Sequence, residues 1–337
     1  VNHRLLDADE LMKYTRQGVL YQHFSWWKSV VEGVGYDCFG LATTFQNLEI
    51  ISIFYQTQKG PFRLVGSPLR GCFTDFTQPM GVQELESRVL TDMLISQFNF
   101  IKANGASYIE WRFSGNVVDL VKFTDALGVE AEEKGTFILE IEPDEQLMWN
   151  KMESRGRNMV RKAEKSGVTI KHSAGGEGEI DLFYEMLKAT FAKSGKTPSH
   201  PKRFYESLIS NLGSVNRVLV LSAEINGKIE AMGIFPHDEN RIQFLSGTST
   251  AEGGRYAANN LIQWNVIKYA MEKRMRIYDL GGTGIPAIDK FKASFGGKPY
   301  SYYQFIWRTP TESAAEKIFF MIRPVFERTI SNISRRV

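Results

Sequence analysis

The sequence predicts a mixed α/β protein made of two copies of one unit, and three observations carry that prediction. Short runs with strand character alternate with amphipathic helical stretches along the chain, the pattern of a mixed sheet with helices on both faces. The order of elements in the first half recurs in the second: helical material, a hairpin or three-strand meander, a long helix, a strand, a shorter helix and a strand. The composition is globular, 43% hydrophobic and 23% charged over 337 residues, enough for two domains with real cores.

In chain order, residues 19–33 read as a helix bearing Phe24, Trp26, Trp27 and Lys28. Residues 36–45 and 48–56 read as a hairpin across Gln46-Asn47, with 62–65 as a third strand. Ser67-Pro68-Leu69-Arg70-Gly71 has turn chemistry. A helix over 82–102 places Leu85, Val89 and Met93 on one stripe, and Asn104-Gly105 ends it. A strand over 108–113, a helix over 117–127 closed by Gly128 and a strand over 136–141 finish the first half. Pro143-Asp144 is a helix start with Asp144 as N-cap; that helix is expected to break at Gly156 and resume to Lys165. A strand over 168–172 and helices over 180–193 and 201–212 follow. Three strand candidates come next, 218–225, 229–235 and 241–246, the first two joined by the hairpin signal Asn226-Gly227. A helix over 257–273, a strand over 275–278, a short helix, a strand over 302–307 and a final helix over 312–334, interrupted at Pro324, complete the chain. Phe100-Ile101-Lys102 ahead of Tyr108-Ile109-Glu110-Trp111 answers Met271-Glu272-Lys273 ahead of Ile277-Tyr278-Asp279-Leu280, and anchors the repeat.

Charge and residue usage exclude several classes. A net charge of +3, from 41 basic and 38 acidic groups, is too small for a dedicated nucleic-acid binder, although a local basic patch is compatible with it. Cys38 and Cys72 cannot make a disulfide framework or a four-ligand zinc site, and they read as packing residues. The five histidines are scattered without metal spacing, and no Ser-His-Asp or Cys-His grouping is readable. No signal sequence is read at Val1-Asn2-His3-Arg4 and no apolar run approaches a membrane span, so a cytoplasmic protein with at most peripheral membrane contact is expected.

One stretch stands out for chemistry. Tyr278-Asp279-Leu280-Gly281-Gly282 ends a strand on a glycine pair, and Pro286 opens the helix that carries Phe291 and Phe295 on one face and turns Lys292 away from them. Two readings stand: an ordinary strand-to-helix connection with a solvated lysine, or a cation held in place at its lip. Gly281-Gly282-Thr283-Gly284 matches neither a phosphate loop nor a dinucleotide fingerprint. Arg157, Arg161 and Lys165 share a helix face, either solvated or phosphate-facing. Gly253-Gly254-Arg255-Tyr256 precedes a helix, where free N–H groups favour an anion; a plain turn is the alternative. Its glycines do not follow the order of a coenzyme A pyrophosphate loop.

Arg157-Asn158-Met159-Val160-Arg161-Lys162-Ala163, Gly167-Val168, Leu261-Ile262-Gln263-Trp264, Tyr278-Asp279-Leu280-Gly281-Gly282 and Phe291-Lys292, in that order, resemble the FemABX aminoacyltransferases. The likeness spans about 145–308, and is thinner before 140, where Trp26-Trp27-Lys28 and the 67–71 loop are the anchors. The resemblance implies two tandem GNAT (acyl-CoA N-acyltransferase)-like domains, 1–142 and 143–311, with a helix over 312–337 returning to the first. It implies transfer of an amino acid from aminoacyl-tRNA to an amine of a peptidoglycan precursor, UDP-linked or lipid-linked, by a monomer using no metal or organic cofactor. In that reading Lys292 stabilises the oxyanion and Phe291 shapes the site. Lys28, Arg70, Arg255, Tyr256 and Asp279 are the substrate-binding candidates, and the general base is unassigned. The helical arm of the staphylococcal bridge enzymes is missing at Gly167-Val168, and Trp111-Arg112-Phe113 stands where an acidic-Pro pair is expected. The competing readings are an acyl-CoA-dependent N-acyltransferase, using acetyl-CoA or another acyl-CoA on an amino sugar or surface-polysaccharide precursor, and a non-catalytic GNAT-like binding module. The basic, apolar final helix is read as packing on the first domain or lying on an anionic membrane at the inner face.

Overall fold

The computed structural model describes residues 1–14, 19–82, 85–114, 118–173, 175–319 and 321. Nine strands form one sheet in the order β1 (Asn2–Leu6), β2 (Asp37–Phe45), β3 (Leu48–Lys59), β4 (Phe62–Ser67), β5 (Tyr108–Ser114), β13 (Lys298–Arg308), β6 (Ala131–Glu140), β12 (Ile277–Gly282) and β10 (Arg241–Gln243). A second sheet of four runs β11 (Ser246–Ser249), β9 (Lys228–Pro236), β8 (Val218–Ile225) and β7 (Thr169–His172). The helices are α1 (Ala8–Met12), α2 (Phe24–Val34), α3 (Ser87–Ala103), α4 (Leu120–Leu127), α5 (Glu145–Lys151), α6 (Ser154–Lys165), α7 (Glu177–Ala192), α8 (Lys202–Gly213), α9 (Ala251–Arg255), α10 (Ala258–Glu272) and α11 (Pro286–Ala293).

The repeat is visible in the strand pairing. Each half has one parallel pair, β4 with β5 and β10 with β12, amid antiparallel neighbours. The halves then exchange their last strands. First-half β6 pairs antiparallel with second-half β12, β13 pairs antiparallel with first-half β5, and β6 and β13 pair with each other. Residues 1–142 and 143–311 thus share one sheet.

Three apolar clusters hold this frame. One lies under α3 and α4 and centres on Phe98, Trp111, Phe113 and Phe123. A second packs α6 and α10 against β8, β9 and β12. The third joins the halves: Trp26 and Trp27 of α2 share it with Phe204 and Leu208 of α8 and Phe183 of α7. Burying side chains of this size contributes roughly 1.5–3 kcal/mol each, so the inter-half cluster is a major part of the fold.

Several expectations need correction. The segment expected as one strand over 241–246 serves two sheets: Phe244 N donates to Asp279 O in the first (2.8 Å), and Leu245 N to Ile234 O in the second (3.1 Å). Consecutive amides facing different partners split the strand. Asp144 caps α5 as expected, accepting from Leu147 N at 2.9 Å. The break comes at Met152-Glu153 and not at Gly156, which lies inside α6. There the missing side chain is needed for packing, since a Cβ would stand 2.4 Å from Ser294 O. β12 does not stop at the glycine pair but runs through it, with a bulge between Asp279 and Gly281. β1 and α1 have no counterpart in the sequence reading, and the first predicted helix divides into a 3-10 turn (Leu20–Gln22) and α2. Residues 310–319 are helical. The rest of the predicted final helix, with Phe320, Ile322, Arg323, Val325, Phe326, Arg328, Arg335 and Arg336 of the membrane reading, lies outside the described residues.

Candidate active site

A cavity of about 890 Å³ opens where the halves meet. Its walls come from the 3-10 turn, β3, the 74–82 segment, β6, β10 and β12, with Tyr21, Tyr55, Phe76, Glu140, Arg241 and Tyr300 among the lining residues. The junction is pinned by Asp238, whose carboxylate accepts from Leu20 N (2.8 Å) on one side and from Asn240 N (2.8 Å) and Arg241 N (2.7 Å) on the other. One acid thereby sets the start of β10 against the turn that carries Tyr21.

Behind the wall lies a buried charge cluster. Asp279 is fully buried, and its carboxylate accepts from Thr136 Oγ1 (2.6 Å), from Gly281 N (2.9 Å) and from the Arg241 guanidinium. The bond from Gly281 depends on the bulge, where Gly281 has φ +85°, a left-handed conformation that glycine adopts without a side-chain clash. Arg241 lies over the rings of Tyr21 (5.8 Å) and Phe76 (5.4 Å). Burial opposes its charge, but Asp279, Tyr21 and Asp75 outweigh that and hold its pKa above the ordinary value. The Tyr21 hydroxyl donates to Gln243, and burial raises its pKa well above the usual phenol range, with Arg241 opposing.

Lys292 belongs to this cluster and is not solvated. It is 5% exposed on α11, and its ammonium donates to the carbonyls of Gly281 (2.8 Å) and Gly282 at the end of β12. A lysine ammonium has three donors, so one N–H is left without a partner among the described residues. Burial lowers the Lys292 pKa, and Asp289, Asp279 and Asp75 act in the opposite direction. The ammonium stands 5.9 Å from the centre of the Phe137 ring. Phe291 is half-buried and meets fully buried Phe295 edge-on at 5.2 Å.

From the first half comes Asp75. Its Oδ2 is buried and has no hydrogen-bond partner, although the residue as a whole stays partly open. Burial, then Asp279, raises its pKa to about 6, against the pull of Arg241, Arg112 and Lys292. Nearby Glu110 is by contrast saturated: it accepts from Arg112 Nε (2.9 Å) and Nη2 (2.6 Å), Gln304 Nε2 (2.7 Å), Tyr108 OH (3.0 Å) and Arg70 N (3.0 Å).

Of the residues predicted for the site, Lys292 and Asp279 are brought together, both behind the cavity wall and not in it. Lys28 is exposed on α2 beside Glu32 (3.7 Å). Arg70 pairs with Glu316 (3.0 Å), lies over Tyr108 (4.6 Å) and lines a separate cavity of about 460 Å³. Arg255 is exposed near Glu252 (3.9 Å), and Tyr256 is half-buried against the second core. None of these four lines the inter-half cavity.

Gly253 and Gly254 lie in the short helix α9, which Thr250 caps, and do not present the expected free amides: Gly253 N donates to Thr250 Oγ1 and Gly254 N to Thr250 O, both at 3.0 Å. Thr250 is itself bonded to the Glu230 carboxylate, which places negative charge beside the turn. Arg157 turns back to the carbonyl of Met152, and Arg161 lies over Trp149 (5.2 Å), so these two fold against α5. Among the described residues no His, Cys, Asp or Glu cluster could hold a metal, and no helix is long and apolar enough to cross a membrane. Sequence reasoning missed Tyr21, Asp75, Asp238 and Arg241, which come from three separate stretches of the chain and carry no recognised motif.

Comparison with known proteins agrees with this architecture. The acetyltransferase (GNAT) domain family matches residues 150–293. A UDP-N-acetylmuramoylpentapeptide-lysine N(6)-alanyltransferase of Weissella viridescens is 24% identical over 173 residues, 51% of this chain. The match spans 45% of that relative's length, less than half of it. The crystal structure of FemX superposes with a TM-score of 0.70 at 15% identity, covering 93% of this chain and 99% of that one. A tandem GNAT protein from the clavulanic acid biosynthesis pathway gives 0.57 at 10% identity, covering 91% and 98%. The chain therefore has the fold of FemX and of the tandem GNAT protein, with the acetyltransferase-domain match lying in its second half.

Proposed function

We propose that this protein is an aminoacyltransferase that moves an amino acid from aminoacyl-tRNA to an amine of a peptidoglycan precursor. The observation that carries the reading is the buried Lys292 ammonium, fixed at the end of β12 in the charge cluster beside the inter-half cavity. The acceptor amine attacks the ester carbonyl carbon, and the carbonyl oxygen becomes anionic. The remaining N–H of Lys292 donates to that oxygen, which requires the ester carbonyl to reach past the lining residues to the ammonium that the Gly281 and Gly282 carbonyls hold in place. Collapse restores C=O and breaks the bond to the ribose oxygen. Losing such a donor typically costs roughly 10²–10³ in rate.

Arg241 is neutralised by Asp279, so it adds no free positive charge for a diphosphate. Lys28 and Arg255 are exposed but lie beside Glu32 and Glu252 and outside the cavity lining, and Arg70 is committed to Glu316, so none of these predicted cations faces the cavity. The Weissella relative's name supplies the acceptor class, a muramoyl pentapeptide amine.

The test is transfer from charged tRNA to UDP-linked muramoyl pentapeptide by the wild-type protein and Lys292→Met. A loss of roughly 10²–10³ in turnover is expected in the variant, and unchanged turnover removes the mechanism. The acetyltransferase-domain match favours a second reading, acyl-CoA-dependent N-acylation. Thermal stabilisation by acetyl-CoA together with no transfer from tRNA would replace the first reading with this one.

A further inference from the structure

The aminolysis proposed above leaves one proton without a destination, and the inference that follows rests on that reading. We propose that the Asp75 carboxylate accepts the proton shed by the acceptor amine and returns it to the leaving ribose oxygen.

Thr74 and Phe76, on either side of Asp75, both line the inter-half cavity. The segment is fixed: Arg112 Nη1 donates to the carbonyls of Thr74 (3.0 Å) and Asp75 (3.3 Å), and Thr77 N donates to Arg112 O (3.1 Å). Phe76 packs on Tyr302 (5.3 Å) and under Arg241 (5.4 Å), which ties this first-half segment to the second half. Asp75 itself is not among the cavity-lining residues: its carboxylate is held behind Thr74 and Phe76, in the buried cluster with Asp279, Arg241 and Lys292.

The second observation is an unmet hydrogen bond. Buried polar atoms are nearly always paired, and an exception calls for a reason. Asp75 Oδ2 is such an exception. Two other buried acids are spoken for, Asp279 by Thr136, Gly281 and Arg241, and Glu110 by Arg112, Tyr108, Gln304 and the Arg70 amide, whereas Glu140 of the cavity wall is exposed and lies outside the buried cluster. Asp289 also has an unpaired oxygen, but its other oxygen accepts from Gly284 N (3.0 Å); like Asp75, it is not among the cavity-lining residues.

The groups facing Asp75 come from every element around it: Asp279 on β12, Arg241 on β10, Arg112 on β5, Lys292 on α11, Tyr302 on β13 and Tyr21 on the 3-10 turn. Burial and the Asp279 charge favour the protonated form, and the three cations oppose it. The balance leaves a group that is ionised at neutral pH and is still basic enough to take a proton in the transition state.

In the step, the amine lone pair forms the C–N bond and the carbonyl π pair moves onto oxygen beside Lys292. One N–H proton passes to Asp75, giving the carboxylic acid. The oxyanion then reforms C=O, the C–O bond to ribose breaks, and the acid proton goes to the ribose oxygen. Amide, free tRNA hydroxyl and Asp75 carboxylate result, with all atoms accounted for.

The experiment is the pH profile of kcat/KM for transfer from charged tRNA to the muramoyl pentapeptide, in wild type, Asp75→Asn, Asp75→Glu and Asp289→Asn. The wild-type profile should rise to a plateau through an inflection near pH 6. Asp75→Asn should lose about 10²–10⁴ in kcat/KM together with that inflection. Asp75→Glu should recover part of the rate with the inflection displaced, and Asp289→Asn should keep both. Circular dichroism and a melting curve confirm folding of each variant. If Asp75→Asn folds and keeps the wild-type profile, the inference is overturned and the aminoacyltransferase reading stands. If the wild-type protein transfers nothing from charged tRNA, both are overturned.

Discussion

The Arg241–Asp279 pair gives the sharpest stability prediction. Asp279 is fully buried, and Arg241 reaches it across the face of Tyr21 and Phe76. Asp279→Asn keeps the shape and an acceptor for Thr136 and Gly281, but leaves the guanidinium without its counter-charge. Removing one partner of a buried ion pair costs about 3–5 kcal/mol, chiefly because the other charge stays desolvated. For a chain of 337 residues the entropy of unfolding is about 0.7 kcal/mol per kelvin, so the midpoint should fall by about 4–7 °C. Calorimetry of the single variants, and of Asp279→Asn placed on Arg241→Met, completes a double-mutant cycle. The Asp279→Asn cost should shrink by at least half in the Arg241→Met background, where no stranded cation remains. Equal costs in both backgrounds, or a single-variant cost below about 1 kcal/mol, would refute the view that this pair is a mutually dependent buried unit.

Two further predictions concern the same region. The Asp75 pKa is raised from 3.8 to about 6 in the folded state, so between those values the folded protein holds more protons than the unfolded chain and stability falls as pH rises. The full difference is about 3 kcal/mol, present below pH 4 and lost above pH 6; Asp75→Asn should therefore melt higher than wild type at pH 8 and show no such advantage at pH 4. Gly156→Ala forces a Cβ to within 2.4 Å of Ser294 O, next to the end of α11. It should cost about 1–3 kcal/mol in chemical denaturation and lower turnover through displacement of Lys292, and a neutral effect on both would show that α6 does not position α11.

How much of this was legible in the sequence depends on how local the cause is. The start of α11 at Pro286 and the cap at Asp144 follow from single residues acting on their own backbone, and both were readable. The Lys292 helix was readable, but the fate of the ammonium was not. Its partners are carbonyls of the preceding strand, exposed to it by a bulge that no residue pattern announces. The split of the 241–246 strand between two sheets was hidden for a similar reason, because which sheet each amide faces is decided by distant strands. Lys28, Arg70, Arg255 and Tyr256 entered through resemblance to a family, and the structure places them away from the inter-half cavity. Tyr21, Asp75 and Arg241 entered by neither route, since their meeting requires both halves to be in place.

The crossing of β6 and β13 has a consequence for how this molecule comes into being. Each half surrenders its closing strand to its neighbour, so a nascent chain released up to residue 142 has no partner yet for β6 and must leave that edge bare until β12 and β13 emerge. Such late pairing between distant segments is slow and exposes a template for aggregation. The two copies therefore complete one shared sheet, and the candidate site between them needs both to have been made.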